Sequence, residues 1–253
     1  NSVNQVAEWS DSDANVIVTN EDAAEGLHSV KVPPTEEVSF LRGQFDGLET
    51  PVYVAFQAKL AGDSFVAMER FGDNPAHTVL TKAVEEVDEH GASWGVIYAM
   101  NGDRLGGGDW ISTGVRAPVF DSYPVDWLHL TYRVDYASST WDLYVDNVMV
   151  AADLNFVEED VQSFTHFSFH GDKKHAAFLD SFVVSSRNPL FEDADNDGVS
   201  DHYEQLVGSN VSVDDRQGDH DGNDQNLLED YMEALRSRGD RDGDGMQDGM
   251  EIR

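Results

Sequence analysis

Two stretches of twelve residues near the C-terminus repeat one spacing that few backbones satisfy. DADNDGVSDHYE (193–204) and DRDGDGMQDGME (240–251) both fit D-x-[DN]-x-[DN]-G-x5-E. In the first, Asp193, Asp195 and Asp197 occupy positions 1, 3 and 5, Gly198 position 6, Asp201 position 9 and Glu204 position 12. Asp240, Asp242, Asp244, Gly245, Asp248 and Glu251 repeat the arrangement. Alternate carboxylates in a tightly turning loop converge on one point, glycine at position 6 permits the turn, and a final Glu supplies two oxygens. Position 7, Val199 or Met246, contributes a backbone carbonyl. A set made only of oxygens at this spacing predicts calcium, with two ions expected from the two loops.

Between them lies DHDGNDQNLLED (219–230), which keeps Asp219, Asp221, Asn223 and Asp230 at positions 1, 3, 5 and 12. Asp224 stands where glycine is expected and Leu227 occupies position 9. Two readings stay open. These residues form a third ion site, or they serve a neighbouring sphere and cap the helix that follows. Asp tolerates a left-handed backbone less readily than glycine.

Charge sets the next constraint. The chain of 253 residues carries 49 acidic and 16 basic side chains, a net charge of -33. From Phe191 onward there are 19 acidic and 5 basic residues, so the tail is densest, although the rest is acidic too. Such a surface repels phosphate backbones and anionic membranes, which argues against a nucleic-acid partner. It suits an extracellular or cell-surface setting in a marine or salt-adapted bacterium. The absence of cysteine excludes disulfides and thiolate metal sites. The first residue, Asn1, suggests a mature or excised piece of a larger exported protein with neighbouring domains. No apolar run is long enough to span a bilayer.

Before the tail, the texture is that of short strands. VIVT, HSVKV and VSFLRG are β-branched runs between polar turns. In PVYVAFQAKLAG, Val52, Val54, Phe56, Ala58 and Leu60 alternate with Tyr53, Gln57 and Lys59, a period of two that predicts a half-buried strand. FVAMERF would be its hairpin partner across AGDS. The segment 76–100 reads as two strands, 76–84 and 94–100, rather than a helix, because β-branched residues are frequent and no capping box is present. NGDRLGGGDW (101–110) reads as loop; ISTGVRAP and WLHLTYRVDY read as strands. WDLYVDNVMV is strand, an Asp146-Asn147 turn, then strand. A strand ending near Val184 closes the domain by pairing with material near the N-terminus. Two-sheet antiparallel sandwich is the expected architecture, with a boundary near 186–189. NLLEDYMEALRSRG (226–239) is the one persuasive helix, and SDHYEQLVG (200–208) a shorter one.

Two resemblances follow from these residues. With its acidic loops and short helices, the tail resembles bacterial thrombospondin type 3-like (EF-hand/dockerin-like) calcium repeats, although the offsets of 26 and 21 residues between loop starts are unequal. That resemblance implies ligand roles for Asp193, Asp195, Asp197, Asp201 and Glu204, and for Asp240, Asp242, Asp244, Asp248 and Glu251. WLHLTYRVDYASSTWDLYVDNVMV, HAAFLDSFVVS and the opening NQVAEWS resemble the concanavalin A-like or laminin-G-like superfamily. That implies a mainly β jelly-roll sandwich over 1–188, a concave face that receives glycans, and a small calcium-loop and helix domain over 189–253. Fold alone assigns no chemistry.

The residues themselves offer three candidate sites outside the loops. Glu86 and Asp88 would share a strand face, as the paired carboxylates of a retaining glycosidase must, about 5 Å apart; a solvated acidic turn is the plainer account. His166 and His170 share a strand parity and His175 lies nearby, but zinc would need a third well-placed ligand, so polar face residues are favoured over metal or polysaccharide-lyase chemistry. Among the aromatics Trp94, Tyr98, Trp110, Trp127, Tyr132, Trp141 and Tyr144, the last two and Trp127 read as core or partly core. Trp110 reads as exposed on its glycine-rich loop, with Asp109 and Arg104 as polar neighbours for a sugar. The favoured function is a noncatalytic carbohydrate-binding or adhesion module, with a polysaccharide or cell-surface glycan as partner. A polysaccharide hydrolase or lyase, and a structural spacer, stay open as alternatives.

Overall fold

The computed structural model describes residues 8–11, 16–34, 39–48, 50–60, 62, 64–71, 75–87, 90, 93–117 and 127–236. The chain divides into two compact units, Asn1–Ser186 and Arg187–Arg253.

The first unit is a sandwich of two antiparallel seven-stranded sheets. One sheet runs β1 (Glu8–Asp11), β4 (Phe40–Leu48), β13 (Phe164–His170), β6 (Phe65–Arg70), β7 (Ala76–Val87), β8 (Ser93–Gly102), β9 (Gly108–Ala117). The other runs β12 (Val148–Asn155), β11 (Thr140–Val145), β10 (Leu128–Asp135), β5 (Val52–Lys59), β14 (Ala177–Ser185), β3 (Ser29–Val32), β2 (Ile17–Thr19). The chain therefore crosses repeatedly between layers. The mainly β reading and the pair of strands at β7 and β8 hold.

Alternation builds the core. Val52, Val54, Phe56 and Ala58 of β5 face Phe167 and Phe169 of the opposite sheet, with Phe56 edge-on to Phe167 at 5.3 Å. Tyr132 and Trp141 stack at 6.0 Å. Each large aromatic buried in such a core contributes about 2–3 kcal/mol. Asp146 and Asn147 have φ of 49° and 67°; two positive φ values make the turn whose twist suits a two-residue hairpin. The closing strand β14 pairs with β3 and β5, as its position near the N-terminal strands led one to expect.

Two expectations are corrected. β5 and β6 form no hairpin: β5 pairs with β10 and β14, β6 with β13 and β7, in different layers. Consecutive strands of a sandwich can change layers, and turn composition does not reveal which ones do. Nor is β5 half-buried along its length. Tyr53 and Ala55, on the face away from the core, are 0% and 4% exposed. Tyr53 lies in register between Arg133 and Ser185, in the middle of its sheet.

In the second unit, α1 (Asp201–Val207) begins at Ser200, whose hydroxyl accepts the Tyr203 N–H at 3.2 Å. It ends at Gly208, left-handed at φ 85°, whose N–H bonds the Glu204 carbonyl at 2.7 Å. α2 (Leu227–Arg236) buries Leu227, Leu228 and Tyr231, and Tyr231 meets Tyr203 at 5.0 Å. No helix among the described residues is long and apolar enough to cross a membrane.

Candidate functional site

The loop before α1 is drawn tight by its own amides. The Gly198 N–H donates to Asp193 Oδ2 at 3.1 Å, the Asp197 N–H to Asp195 Oδ1 at 3.3 Å, and the Val199 N–H to Asp197 Oδ1 at 2.7 Å. Gly198, at φ 94°, permits the turn. One oxygen of each aspartate is thus committed to the backbone. The others turn inward: ligand atoms of Asp193, Asp195 and Asp197 lie within 4.8 Å of one another. So do those of Asp197, Glu204 and Asp215. That span is about twice a Ca–O distance.

Asp197 and Glu204 are fully buried. Asp195 Oδ2, Asp197 Oδ2, Glu204 Oε2 and Asp215 Oδ1 are buried oxygens with no hydrogen-bond partner. Burial, then the charges of Asp195 and Asp193, pushes the Asp197 carboxyl up to about 7. Burial, then Asp197, Asp195, Asp215 and Asp201, pushes Glu204 up to about 8, and burial raises Asp195 as well. Crowded carboxylates deprived of water are costly unless a cation neutralises them. A cluster of oxygens alone fits a hard divalent ion rather than zinc or copper.

From the expected set the structure brings together Asp193, Asp195 and Asp197, and separately Asp197 with Glu204, with Val199 buried at position 7. Asp201 instead accepts the Ala194 N–H at 2.8 Å, which leaves it bracing the loop; position 9 often reaches the ion through water. Asp215 was missed. It lies eleven residues beyond Glu204 in a connecting segment, and its only signal in the sequence is an acidic pair before Arg216.

The loop 219–230 copies the same frame. Asp224 N–H donates to Asp219 Oδ2 at 3.2 Å, Asn223 N–H to Asp221 Oδ1 at 3.1 Å, and Gln225 N–H to Asn223 Oδ1 at 2.7 Å. Asp224 takes up the glycine conformation at φ 70°. Asn223 Nδ2 also reaches Asp230 Oδ1 at 2.9 Å. Here the carboxylates are not buried like those of the first loop. Asp240, Asp242, Asp244, Met246, Asp248 and Glu251 lie outside the described residues.

On the sandwich, the face of the β4–β13–β6–β7–β8–β9 sheet turned away from the core carries a row fixed by register: Phe40, His170, Phe65, Lys82, Tyr98, Ser112. His170 stacks on Phe65 at 3.8 Å, and Lys82 Nζ sits 4.0 Å from the Trp110 ring. Arg42 lies 3.5 Å over Phe71. Glu69 is buried below this row. Burial alone would raise its carboxyl, but hydrogen bonds from His77 and Ser168 outweigh that and hold it below the usual range. Burial pulls His170 down to about 4. His166 and His170 do share this face, whereas His175 pairs with Asp172 at 3.1 Å.

Trp110 stands on β9 rather than on a projecting loop, and Asp109, its neighbour along the strand, points to the opposite face. Arg104 donates to Asn155 Oδ1 at 2.9 Å and to the Ser138 carbonyl at 3.3 Å. These three residues are therefore not gathered into one site. Glu86 accepts the Tyr98 hydroxyl, which raises the Tyr98 pKa; Asp88 and the Trp94 side chain lie outside the described residues. Trp141 and Tyr144 are fully buried, and Trp127, partly buried, donates to Asp22 Oδ1 at 3.2 Å.

No family model and no curated protein matches this chain. Among solved structures, it is similar to a sialidase at 11% identity and TM-score 0.46, over 82% of this chain and 19% of the sialidase. The chain thus spans about a fifth of that protein. It is similar to alginate lyase Aly36B at 10% identity and TM-score 0.43, over 66% of this chain and 84% of the lyase. A third is the exoplasmic/lumenal domain of VIP36 in its Ca2+/Man3GlcNAc-bound form, at 9% identity and TM-score 0.41, over 70% and 85%. Likeness at this level carries neither ligand nor chemistry to this chain.

Proposed function

We propose that the chain is a noncatalytic carbohydrate-binding or adhesion module of an exported protein, carrying a calcium-stabilised C-terminal unit. The observation that carries the reading is the row across the sandwich face, where Phe65 and Tyr98 alternate with His170, Lys82 and Ser112, and Lys82 reaches the Trp110 ring two positions along β9 from Ser112. Rings offer flat apolar faces to sugar rings, and the interspersed donors and acceptors suit hydroxyls. Glu69, the buried carboxylate there, is held below the usual range by hydrogen bonds from His77 and Ser168 that outweigh its burial, the reverse of the raised carboxyl a general acid needs. In the C-terminal unit the buried oxygens of Asp195, Asp197 and Glu204 support one calcium ion. The loop 240–251 supplies a second by its matching spacing, and the amide frame of 219–230 supports a third.

Isothermal titration against a panel of neutral and acidic polysaccharides, with product analysis of each mixture, tests the module. Binding without released oligosaccharide is expected, weakened up to about tenfold by Trp110→Ala or Tyr98→Ala. Release of oligosaccharides would establish the hydrolase or lyase alternative. Unchanged binding in the double variant would reject this face.

A further inference from the structure

The connection between the two helices, 209–226, does more than span a gap. The Asn210 N–H donates to Asp215 Oδ2 at 3.3 Å, and His220 Nε2 lies 3.4 Å from the same oxygen. That carboxylate is thereby oriented, and its second oxygen, Oδ1, is buried without a hydrogen-bond partner. A carboxylate oxygen of Asp215 lies within 4.8 Å of ligand atoms of Asp197 and Glu204, both fully buried and each with an oxygen that lacks a partner. Next to it, Arg216, 3% exposed, donates to the Asp197 carbonyl. The Arg216 carbonyl in turn accepts the Leu228 N–H at 3.0 Å, and the Gly218 carbonyl accepts the Leu227 N–H at 2.8 Å. Three consecutive contacts thus run from the first acidic loop to the first turn of α2.

We infer that Asp215 is a cation ligand supplied from outside the twelve-residue loop, and that an ion bound there fastens residues 210–218 and the start of α2 to that loop. The inference rests on the reading of 193–204 as an ion site. The chemistry is that of a hard divalent cation, since each facing atom is a carboxylate oxygen. A sphere closed by the loop alone would hold only the loop and α1. One that includes Asp215 makes ordering of the connection part of the binding event, so affinity and order change together.

The test compares the whole chain with Asp215→Asn and with Asp214→Asn, the latter removing an equal charge from the adjacent, exposed position. Calcium titration is followed by hydrogen exchange of the amides in 193–204 and, separately, in 210–218, so that ions bound at other loops do not enter the readout. In the parent and in Asp214→Asn, calcium should slow exchange in both segments together. In Asp215→Asn the midpoint for 193–204 should rise at least about tenfold, and protection of 210–218 should be lost. In chelator the Asp215→Asn variant should melt no lower than the parent, because one of several crowded like charges is gone; a lower melt would mark Asp215 as merely structural and overturn the assignment. Parent-like midpoints and protection in Asp215→Asn would overturn this inference alone. A parent chain whose 193–204 amides ignore calcium would overturn the loop reading, and this inference with it.

Discussion

In the sandwich, the side chains with no solvent contact include Phe56, Phe164, Phe167, Phe169, Tyr132 and Trp141; in the C-terminal unit they include Asp197 and Glu204. The first region is held by apolar area withdrawn from water, which needs no partner. The second withdraws carboxylates from water, where a cation or bound protons must offset their charge, and buries few apolar side chains, among them Val199, Leu227, Leu228, Tyr203 and Tyr231. One chain thus joins a self-sufficient unit to a conditional one. The difference predicts that almost any perturbation of solvent composition will act on the two unequally.

A chelator should separate them most. At a thousandfold excess over Kd, an ion adds about 4 kcal/mol, which for a unit of this size moves the melting temperature by about 15–30 °C. Calorimetry with EDTA should show the C-terminal transition falling by that order while the sandwich transition stays in place. A single transition that ignores EDTA would erase the distinction. Phe56→Ala makes the reverse test: about 3–5 kcal/mol lost from the sandwich, with calcium uptake by the C-terminal unit unchanged in a titration.

Acidity should push the two regions in opposite directions. The folded values of Asp197 and Glu204, about 7 and about 8, lie above their unfolded ones. Without calcium the folded C-terminal unit therefore binds more protons between pH 4 and 8, and its stability falls as pH rises through that window. For Glu69 and His170 the folded values lie below the unfolded ones. His170 costs the sandwich stability as pH falls from about 6.5 towards 4, the contribution of Glu69 is lost only below about 4.5, and that of His77, raised by its bond to Glu69, is lost as pH rises above 6.5. Each fully shifted proton is worth about 1.4 kcal/mol per pH unit. Melts in chelator from pH 4 to 6.5 read both slopes, and slopes of equal sign would break the comparison. The smallest effect expected is from Asp224→Gly: relief of the left-handed conformation at φ 70° should stabilise 219–230 by about 1 kcal/mol, seen as slower exchange of its amides.

Local chemistry was legible in the sequence and long-range choice was not. The turn at Asp146-Asn147, the shared face of His166 and His170, and both helices depend on residues a few positions apart. Spacing also singled out Asp193, Asp195 and Asp197, whose ligand atoms the fold brings within 4.8 Å of one another. What escaped depends on partners far along the chain. β6 leaves its sequence neighbour β5 to pair with β13, about a hundred residues on. Gly108 starts a strand because the β8 backbone passes so close that a Cβ there would stand 2.2 Å from the Asn101 carbonyl oxygen. Asp215 joins the first loop through a connection that no motif describes.

The amide frame of the first loop has a consequence for salt. Each aspartate in it surrenders one oxygen to a backbone N–H, and with an ion bound it would keep its whole charge. Asp193, Asp195 and Asp197 gather three negative charges, Asp197, Glu204 and Asp215 form a second such group, and a divalent ion in either offsets two of three. The filled centre is still anionic, inside a unit that is strongly acidic already. Monovalent ions should therefore gather around it and compete for the field, so its calcium affinity should weaken steadily as sodium chloride rises from 10 mM to 1 M, over which the screening length shrinks from about 30 Å to about 3 Å. The same loop placed in a brine and in fresh water would grip an added ion with different strength.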